Sequence, residues 1–299
     1  MMMRKRKLFM DTMVDIQVVA RRGAEPSSET MAAQIDRAFD TFRQVEQACS
    51  RFSSDSELMR ACTQIATPVP ISPLLFEPLK LAMEMAKWTD GVFDPTIGKL
   101  METHGFNCHY LTQQHMNSPV EKFVNYQDVV LDETNQTLSL RRPLVIDLGA
   151  VAKGFAIDLA AQELKGLDGF VVNAGGDIYA GGTNEQGEAW EIGIQHPELQ
   201  GEIIYTLSLS DEAVCTSGSY ERRSASTEGV YHLIDPKTEY SPQEWISTSV
   251  IAPYAMMADV ISSAVLLLNK EDGRKLIQQA SVQAILISSD LHLVREGGM

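Results

Sequence analysis

Apolar and polar residues alternate along Thr12–Val19, the period of a half-buried strand. From residue 31 the apolar period lengthens. Met31, Ile35, Phe39, Phe42 and Val45 fall on one helical face, and Ser27-Ser-Glu-Thr30 ahead of them supplies the cap. The polar run from Cys49 to Ser56 ends that helix, and a shorter one starts near Ser56 with Glu57, Leu58 and Met59. Ser72-Pro73 opens a third, the serine as cap and the proline at the first helical position; it runs through Leu81, Met85 and Trp88 and stops at Thr89-Asp-Gly91. Gly91-Val-Phe-Asp-Pro-Thr-Ile-Gly98 is rich in turn residues, and residues 105–120 show no period, which predicts a surface excursion. Strands at 126–131 and 137–141 flank a polar turn as in a hairpin.

The stretch from Val145 to Asp158, Val-Ile-Asp-Leu-Gly-Ala-Val-Ala-Lys-Gly-Phe-Ala-Ile-Asp, begins as an apolar strand. It turns at Gly149 and continues as a helix of small residues to about Leu164, with Asp147 at the strand end and Lys153 in the first helical turn. A strand at 169–173 leads to a second glycine-dense turn, Asn173-Ala-Gly-Gly-Asp177. From there to Thr248 the pattern is mostly β, with strands at 178–180, 189–195, Ile203–Leu209 and 231–234 between Gly, Asn, Pro and Ser turns. Helices from about Tyr254 to Leu268 and over Lys270–Ala280, then a final strand at 282–288, close the chain. Helices early, strands in the middle and helices late predict an α+β fold rather than a repeating βαβ chain. No solenoid repeat or low-complexity linker divides it. The expectation is one domain over 1–299, with a smaller helical and irregular subdomain around 50–125.

Charge narrows the partners. Forty acidic against 25 basic residues give a formal net charge of −15, so nucleic acid is not expected as a partner. An anionic ligand would need local help from dipoles, Lys or Arg, or a metal ion. The four cysteines lack metal-ligand spacing and read as free thiols. The basic start, Met1-Met-Met-Arg-Lys-Arg-Lys7, resembles that of a signal peptide, but Asp11 and Asp15 interrupt any apolar continuation. As given the chain reads as cytoplasmic; one trimmed of an export signal would read the same way. No stretch is apolar enough to predict a membrane span.

Candidate chemistry gathers in a few places. A strand feeding a helix N-terminus leaves backbone N–H groups pointing outward, which makes the Gly149 turn a candidate anion site beside Asp147 and Lys153. The second glycine turn has no G-x-G-x-x-G and precedes a strand, so a dinucleotide fingerprint fails its context, and a tight turn accounts for it equally well. Asp259 and Ser263 lie four apart on a predicted helix and so share a face. A carboxylate and a hydroxyl there suit Mg²⁺, although an aspartate near a helix start and a back-bonding serine would look the same. In Tyr231-His-Leu-Ile-Asp-Pro236, His232 could take a proton from a hydroxyl or be merely structural. A serine nucleophile lacks the G-x-S-x-G elbow.

In this order the motifs resemble the ApbE family, the FAD:protein FMN transferases. The resemblance is carried by Ser56-Glu-Leu-Met-Arg60, Asp90-Gly-Val-Phe-Asp-Pro-Thr96, the 145–154 stretch, Asn173-Ala-Gly-Gly-Asp177, Thr216-Ser-Gly-Ser-Tyr-Glu-Arg222, His232-Leu-Ile-Asp-Pro236 and Ala258-Asp259 with Ser263. It implies an ApbE-like, T-fold-like mixed sheet with flanking helices and a mostly β second half. It also implies Mg²⁺-dependent transfer of FMN from FAD to a Ser or Thr hydroxyl of an acceptor, such as an FMN-binding domain of a redox complex, with release of AMP. By family correspondence Met10, Phe52, Val92, Phe93, Asp94, Asp147, Lys153 and Ile234 contact FAD. The Ala150 carbonyl, Asp259 and Ser263 hold Mg²⁺, and His232 activates the acceptor hydroxyl. Two departures stand out: Met10-Asp11-Thr12 replaces the family's usual Met-Gly-Thr, and Ser263 the commoner Thr. An FAD pyrophosphatase giving FMN and AMP, or a non-catalytic FAD carrier, would share the same residues.

Overall fold

A computed structural model describes residues 1–20, 27–121, 123–220, 222–224 and 226–298. It opens on a strand that the hydropathy pattern did not mark, β1 (Met2–Phe9), because four successive cations hide its alternation. Their charges are matched locally. Arg4 and Arg6 reach Asp15 of β2 (Thr12–Val19) at 2.5 and 2.6 Å, and Lys5 and Lys7 reach Asp36 at 2.9 and 3.2 Å. The Met10-Asp11 loop joining β1 to β2 has φ of 50° and 60°, the left-handed pair that a two-residue hairpin turn requires.

Next come α1 (Ser28–Cys49), α2 (Glu57–Cys62), β3 (Val69–Pro70), α3 (Pro73–Trp88), α4 (Gly98–Thr103), β4 (Val129–Asp132) and β5 (Thr137–Leu140). Ser27 and Ser56 cap α1 and α2 through their side chains, as their positions predict. Ser72 does not: it sits at the cap position of α3, but its hydroxyl donates to Glu57 Oε2 at 2.6 Å and ties α3 to α2. The order β3-β5-β4 forms a small antiparallel sheet.

The second half contains α5 (Ala152–Leu164), β6 (Gly169–Ala174), β7 (Asp177–Gly182), β8 (Trp190–Gln195), β9 (Ile203–Leu209), β10 (Glu212–Gly218), β11 (Trp245–Ala252), α6 (Ala255–Leu267), α7 (Lys270–Ala280), β12 (Gln283–Ser288) and β13 (Leu293–Glu296). Eight strands form the main sheet in the order β1-β2-β6-β7-β10-β11-β12-β13. Every neighbouring pair is antiparallel, so the α+β class holds but the expected mixed sheet does not.

Other expectations change as well. Residues 145–148 join no sheet; Asp147 N–H bonds the Pro95 carbonyl in the loop after α3 at 2.7 Å, and the Val145 carbonyl accepts the Gly98 N–H at the start of α4 at 3.2 Å. Residues 231–234 make only an isolated bridge. Part of the polar motif at 216–222 is the end of β10, and its Glu221 lies outside the described residues.

Helices α1, α5 and α6 cover one face of the sheet. Ile35 and Phe39 of α1, Ile157 and Ala160 of α5 and Val260 and Ala264 of α6 join Val14, Ile16, Val18 and Val172 in one core. Full burial of each larger aliphatic or aromatic side chain there contributes about 1.5–3 kcal/mol. The β8–β9 ribbon covers the other face, turning Trp190, Ile192 and Ile194 onto Ile178, Val214, Ile251 and Ile285.

Two close approaches fix the end of the sheet that matters for function. The Gly175-Gly176 loop between β6 and β7 has φ of 64° and 99°, and a Cβ on Gly175 would overlap the Thr12 hydroxyl, so two hairpin tips abut. Next to them, α5 meets α6 at Gly154, where a Cβ would lie 2.5 Å from the Ala255 carbonyl oxygen. Gly154→Ala is therefore expected to push α6 off α5 and destabilise the fold by about 1–3 kcal/mol. An unchanged thermal midpoint would show that the contact yields freely.

Candidate active site

A cleft of about 590 Å³ opens at this end of the sheet. The tips at Met10-Asp11 and Gly175, the end of β10, the start of α5 and the cleft-facing side of α6 all contribute to it. Loops after α1 and α3, residues 105–110 and residues 232–234 complete its walls.

At the centre is the Asp147–Ala150 turn. It is not the open N–H cradle expected from its position. Gly149 N–H donates to Asp147 Oδ1 at 2.7 Å, and Val151 and Ala152 N–H both return to the Leu148 carbonyl at 3.0 and 2.9 Å. The turn presents Ala150 and the following Lys153 to the cleft. Asp147 also accepts a hydrogen bond from Arg51 Nε, and Arg51 bonds the Phe106 carbonyl at 2.5 Å while its guanidinium lies 4.1 Å from the Phe52 ring centre. Burial alone would raise the Asp147 carboxyl. The Arg51 charge and the Gly149 N–H outweigh it and hold the group below its ordinary range.

Deeper in, Lys153 forms an ion pair with Asp177, whose other oxygen accepts the Thr216 N–H at 2.9 Å. Burial opposes the Lys153 charge, but Asp177 and Asp259 together raise its pKa and keep it protonated. Asp259 and Ser263 stand one turn apart on α6, 4% and 3% exposed. Asp259 Oδ2 accepts the Gly154 N–H at 3.1 Å, and Ser263 shares a hydrogen bond of 3.0 Å with Ser217 of β10. Burial drives the Asp259 carboxyl upward and Asp177 adds to that, while Lys153 pulls it back. A half-buried ammonium thus stands among carboxylates in an otherwise acidic chain.

The remaining expected residues divide. His232, half-buried, lines the cleft with its backbone N–H on the Arg222 carbonyl at 3.1 Å; its sequence neighbour Asp235 is spent on a turn with Lys237 and Thr238. Ile234, Phe93, Phe52 and Met10 line the cleft. Asp94 reaches its edge, but its carboxylate is occupied by Thr96 and by the Tyr126 N–H at 2.9 Å, and burial raises it. Val92 does not line the cleft; it is partly buried and packs against the main core.

Sequence reasoning missed Arg51, read only as part of a polar loop, and the cleft residues Phe106, His109 and Tyr110, placed in a surface excursion. Their signal exists only in three dimensions. Tyr110 OH bonds Glu46 Oε1 of α1 at 3.0 Å, and the same oxygen accepts the Met10 N–H at 3.0 Å.

Residues 10–286 match the ApbE family. The chain belongs to that family. An FAD:protein FMN transferase from Haemophilus influenzae is 30% identical over 260 residues, covering 82% of this chain and 75% of the relative. One from Escherichia coli K12 is 27% identical over 288 residues, covering 91% and 79%. The crystal structure of the ApbE protein from Thermotoga maritima superposes with a TM-score of 0.84 at 27% identity, covering 99% of this chain and 97% of that one. Flavin transferase ApbE from Vibrio cholerae shares the fold at a TM-score of 0.81 and 23% identity, covering 99% and 96%.

Asp11 holds its place at the tip with φ 60°, a left-handed conformation that aspartate tolerates better than most side chains. Arg222 lies 3.5 Å from its carboxylate, an exposed pair of little energetic weight.

The Arg51–Asp147 pair yields a test. Arg51→Met should cost about 3 kcal/mol, because it strands a largely buried carboxylate. In the wild type, Asp147 has a folded pKa below its ordinary 3.8, so its contribution is complete above that value and is lost as pH falls through the folded one. Arg51→Met should remove this acid-side loss. Urea midpoints measured across the acid range would show it, and parallel curves for the two proteins would refute the coupling.

Proposed function

We propose that this ApbE chain transfers the FMN half of FAD to a Ser or Thr hydroxyl of an acceptor protein, such as an FMN-binding domain of a redox complex, releasing AMP. The observation that supports this most directly is the charged end of the cleft, Lys153 with Asp177 beside Asp259 and Ser263, in a chain that matches the family almost throughout. The named transferases among its relatives support the same reading.

A pyrophosphate is an unfavourable guest for a chain of net charge −15, so local cations have to receive it. Lys153 is one, held protonated and kept in place by Asp177. Arg51, Arg222 and Arg223 add positive charge along the cleft. Phe52 and Phe93 offer apolar faces to the flat rings of FAD.

Asp259, Ser263 and the backbone at Ala150 also fit a divalent cation. All are hard oxygen donors at one cleft, and the carboxylate and hydroxyl are both buried and one turn apart. When bound, Mg²⁺ would neutralise charge developing on the pyrophosphate oxygens. The chain's own residues direct the remaining chemistry. The acceptor oxygen forms a bond to the FMN phosphorus as the bond from that phosphorus to the AMP phosphate oxygen breaks. His232 takes the hydroxyl proton, and Lys153 donates hydrogen bonds to the departing phosphate.

Incubation with FAD, Mg²⁺ and a flavinylatable FMN-binding domain should give a fluorescent acceptor band on a denaturing gel. FMN found only in solution would assign hydrolysis instead, and intact FAD a carrier. Asp259→Ala is expected to abolish turnover while leaving some FAD binding; unchanged turnover would sink its assignment. His232→Ala should lower kcat by about 10²–10⁴-fold, with little change in KM for FAD. An equal loss in both would point to a structural role.

A further inference from the structure

Asp158 closes the 145–158 stretch, yet none of the roles above uses it. It lies on α5, is 9% exposed, and faces the first turn of α6. Its Oδ1 accepts the Ala255 N–H at 2.7 Å and its Oδ2 the Met256 N–H at 2.9 Å. The first N–H groups of a helix need partners from outside the helix. Helix α6 has no side-chain cap of its own: Tyr254 stands at the cap position and makes no such bond. The cap comes from the neighbouring helix.

That arrangement does something a local cap cannot. Ser27 holds only the start of its own helix, whereas a cap donated by α5 fixes α6 against α5. Two more contacts act at the same place: Gly154 N–H on Asp259 Oδ2 at 3.1 Å, and the close passage of Gly154 beside the Ala255 carbonyl. The residues so fixed are the ones whose relative position matters. Ala150 lies just before α5 and Lys153 in its first turn, while Asp259 and Ser263 lie one and two turns into α6. The device also has a cost. Burial pushes the Asp158 carboxyl up to about 6, with the two N–H donors pulling it down, and a serine in place of Tyr254 would cap α6 without burying a carboxylate.

We propose that Asp158 is a positioning residue: it clamps the start of α6 to α5 and so sets Asp259 and Ser263 at the spacing from Ala150 that a divalent cation needs. The inference rests on the reading of Asp259 and Ser263 as cation ligands. The test is a MnCl₂ titration of the purified full chain, with and without AMP, following the free-ion signal by electron paramagnetic resonance. The wild type should take up Mn²⁺. Asp158→Asn keeps shape and one acceptor oxygen and should bind about tenfold more weakly, and Asp158→Ala more weakly still. Metal-free FAD binding, read by flavin fluorescence quenching, should stay within about twofold. The double variant Asp158→Asn with Tyr254→Ser separates position from stability, since it restores a cap without restoring the clamp. It should regain thermal stability but not Mn²⁺ affinity. Wild-type affinity in a folded Asp158→Asn protein, or recovery of both properties in the double variant, would overturn the proposal. A wild type that takes up no Mn²⁺ would instead overturn the cation reading beneath it.

Discussion

The contact between the N-terminal ends of α5 and α6 constrains everything else at the cleft. A missing side chain at Gly154 lets two backbones touch, and Asp158 and Asp259 then bridge them with hydrogen bonds in both directions. Because both helices also pack on the main sheet, their start points are set against the strand ends as well as against each other. The cleft is the space left where two helix starts, two hairpin tips and the end of β10 meet.

Electrostatics follow from that geometry. Lys153 remains charged in a half-buried place because Asp177 and Asp259 are brought to it from a hairpin and from α6. Arg51 does the reverse for Asp147. Neither pair is close in sequence, and each partner offsets the desolvation of the other. The cleft of this acidic chain thereby holds its cations in pairs with carboxylates, and its basic first strand is likewise neutralised locally by Asp15 and Asp36.

Much of the fold is legible in the sequence. Helical spacing in α1, the proline at the start of α3 and alternation in β2 each report a local rule that packing then used. Failures came where another interaction overrode the local signal. Residues 145–148 are apolar enough for a strand but bond a loop instead, and Ser72 gives its hydroxyl to Glu57 rather than to its helix. Strand β1 was hidden because four successive cations, paired with Asp15 and Asp36, mask its alternation, and β10 because serines and threonines look like a turn until their hydroxyl partners are known.

For the site, the sequence by itself determined the chemistry on offer: which carboxylates, hydroxyls, amines and rings exist, and that Asp259 and Ser263 share a helical face, because side-chain direction along one helix follows from its period. The ordered motifs also placed the chain in its family. Only the tertiary structure decided which groups meet. It packed Val92 against the core and spent Asp94 on Thr96 and the distant Tyr126 N–H, and it drew Arg51, His109 and Tyr110 into the cleft from segments with no periodic signal. It also gave Asp158 a partner almost a hundred residues away in the chain. Contacts of that range depend on how whole helices and strands pack, and no local pattern encodes them.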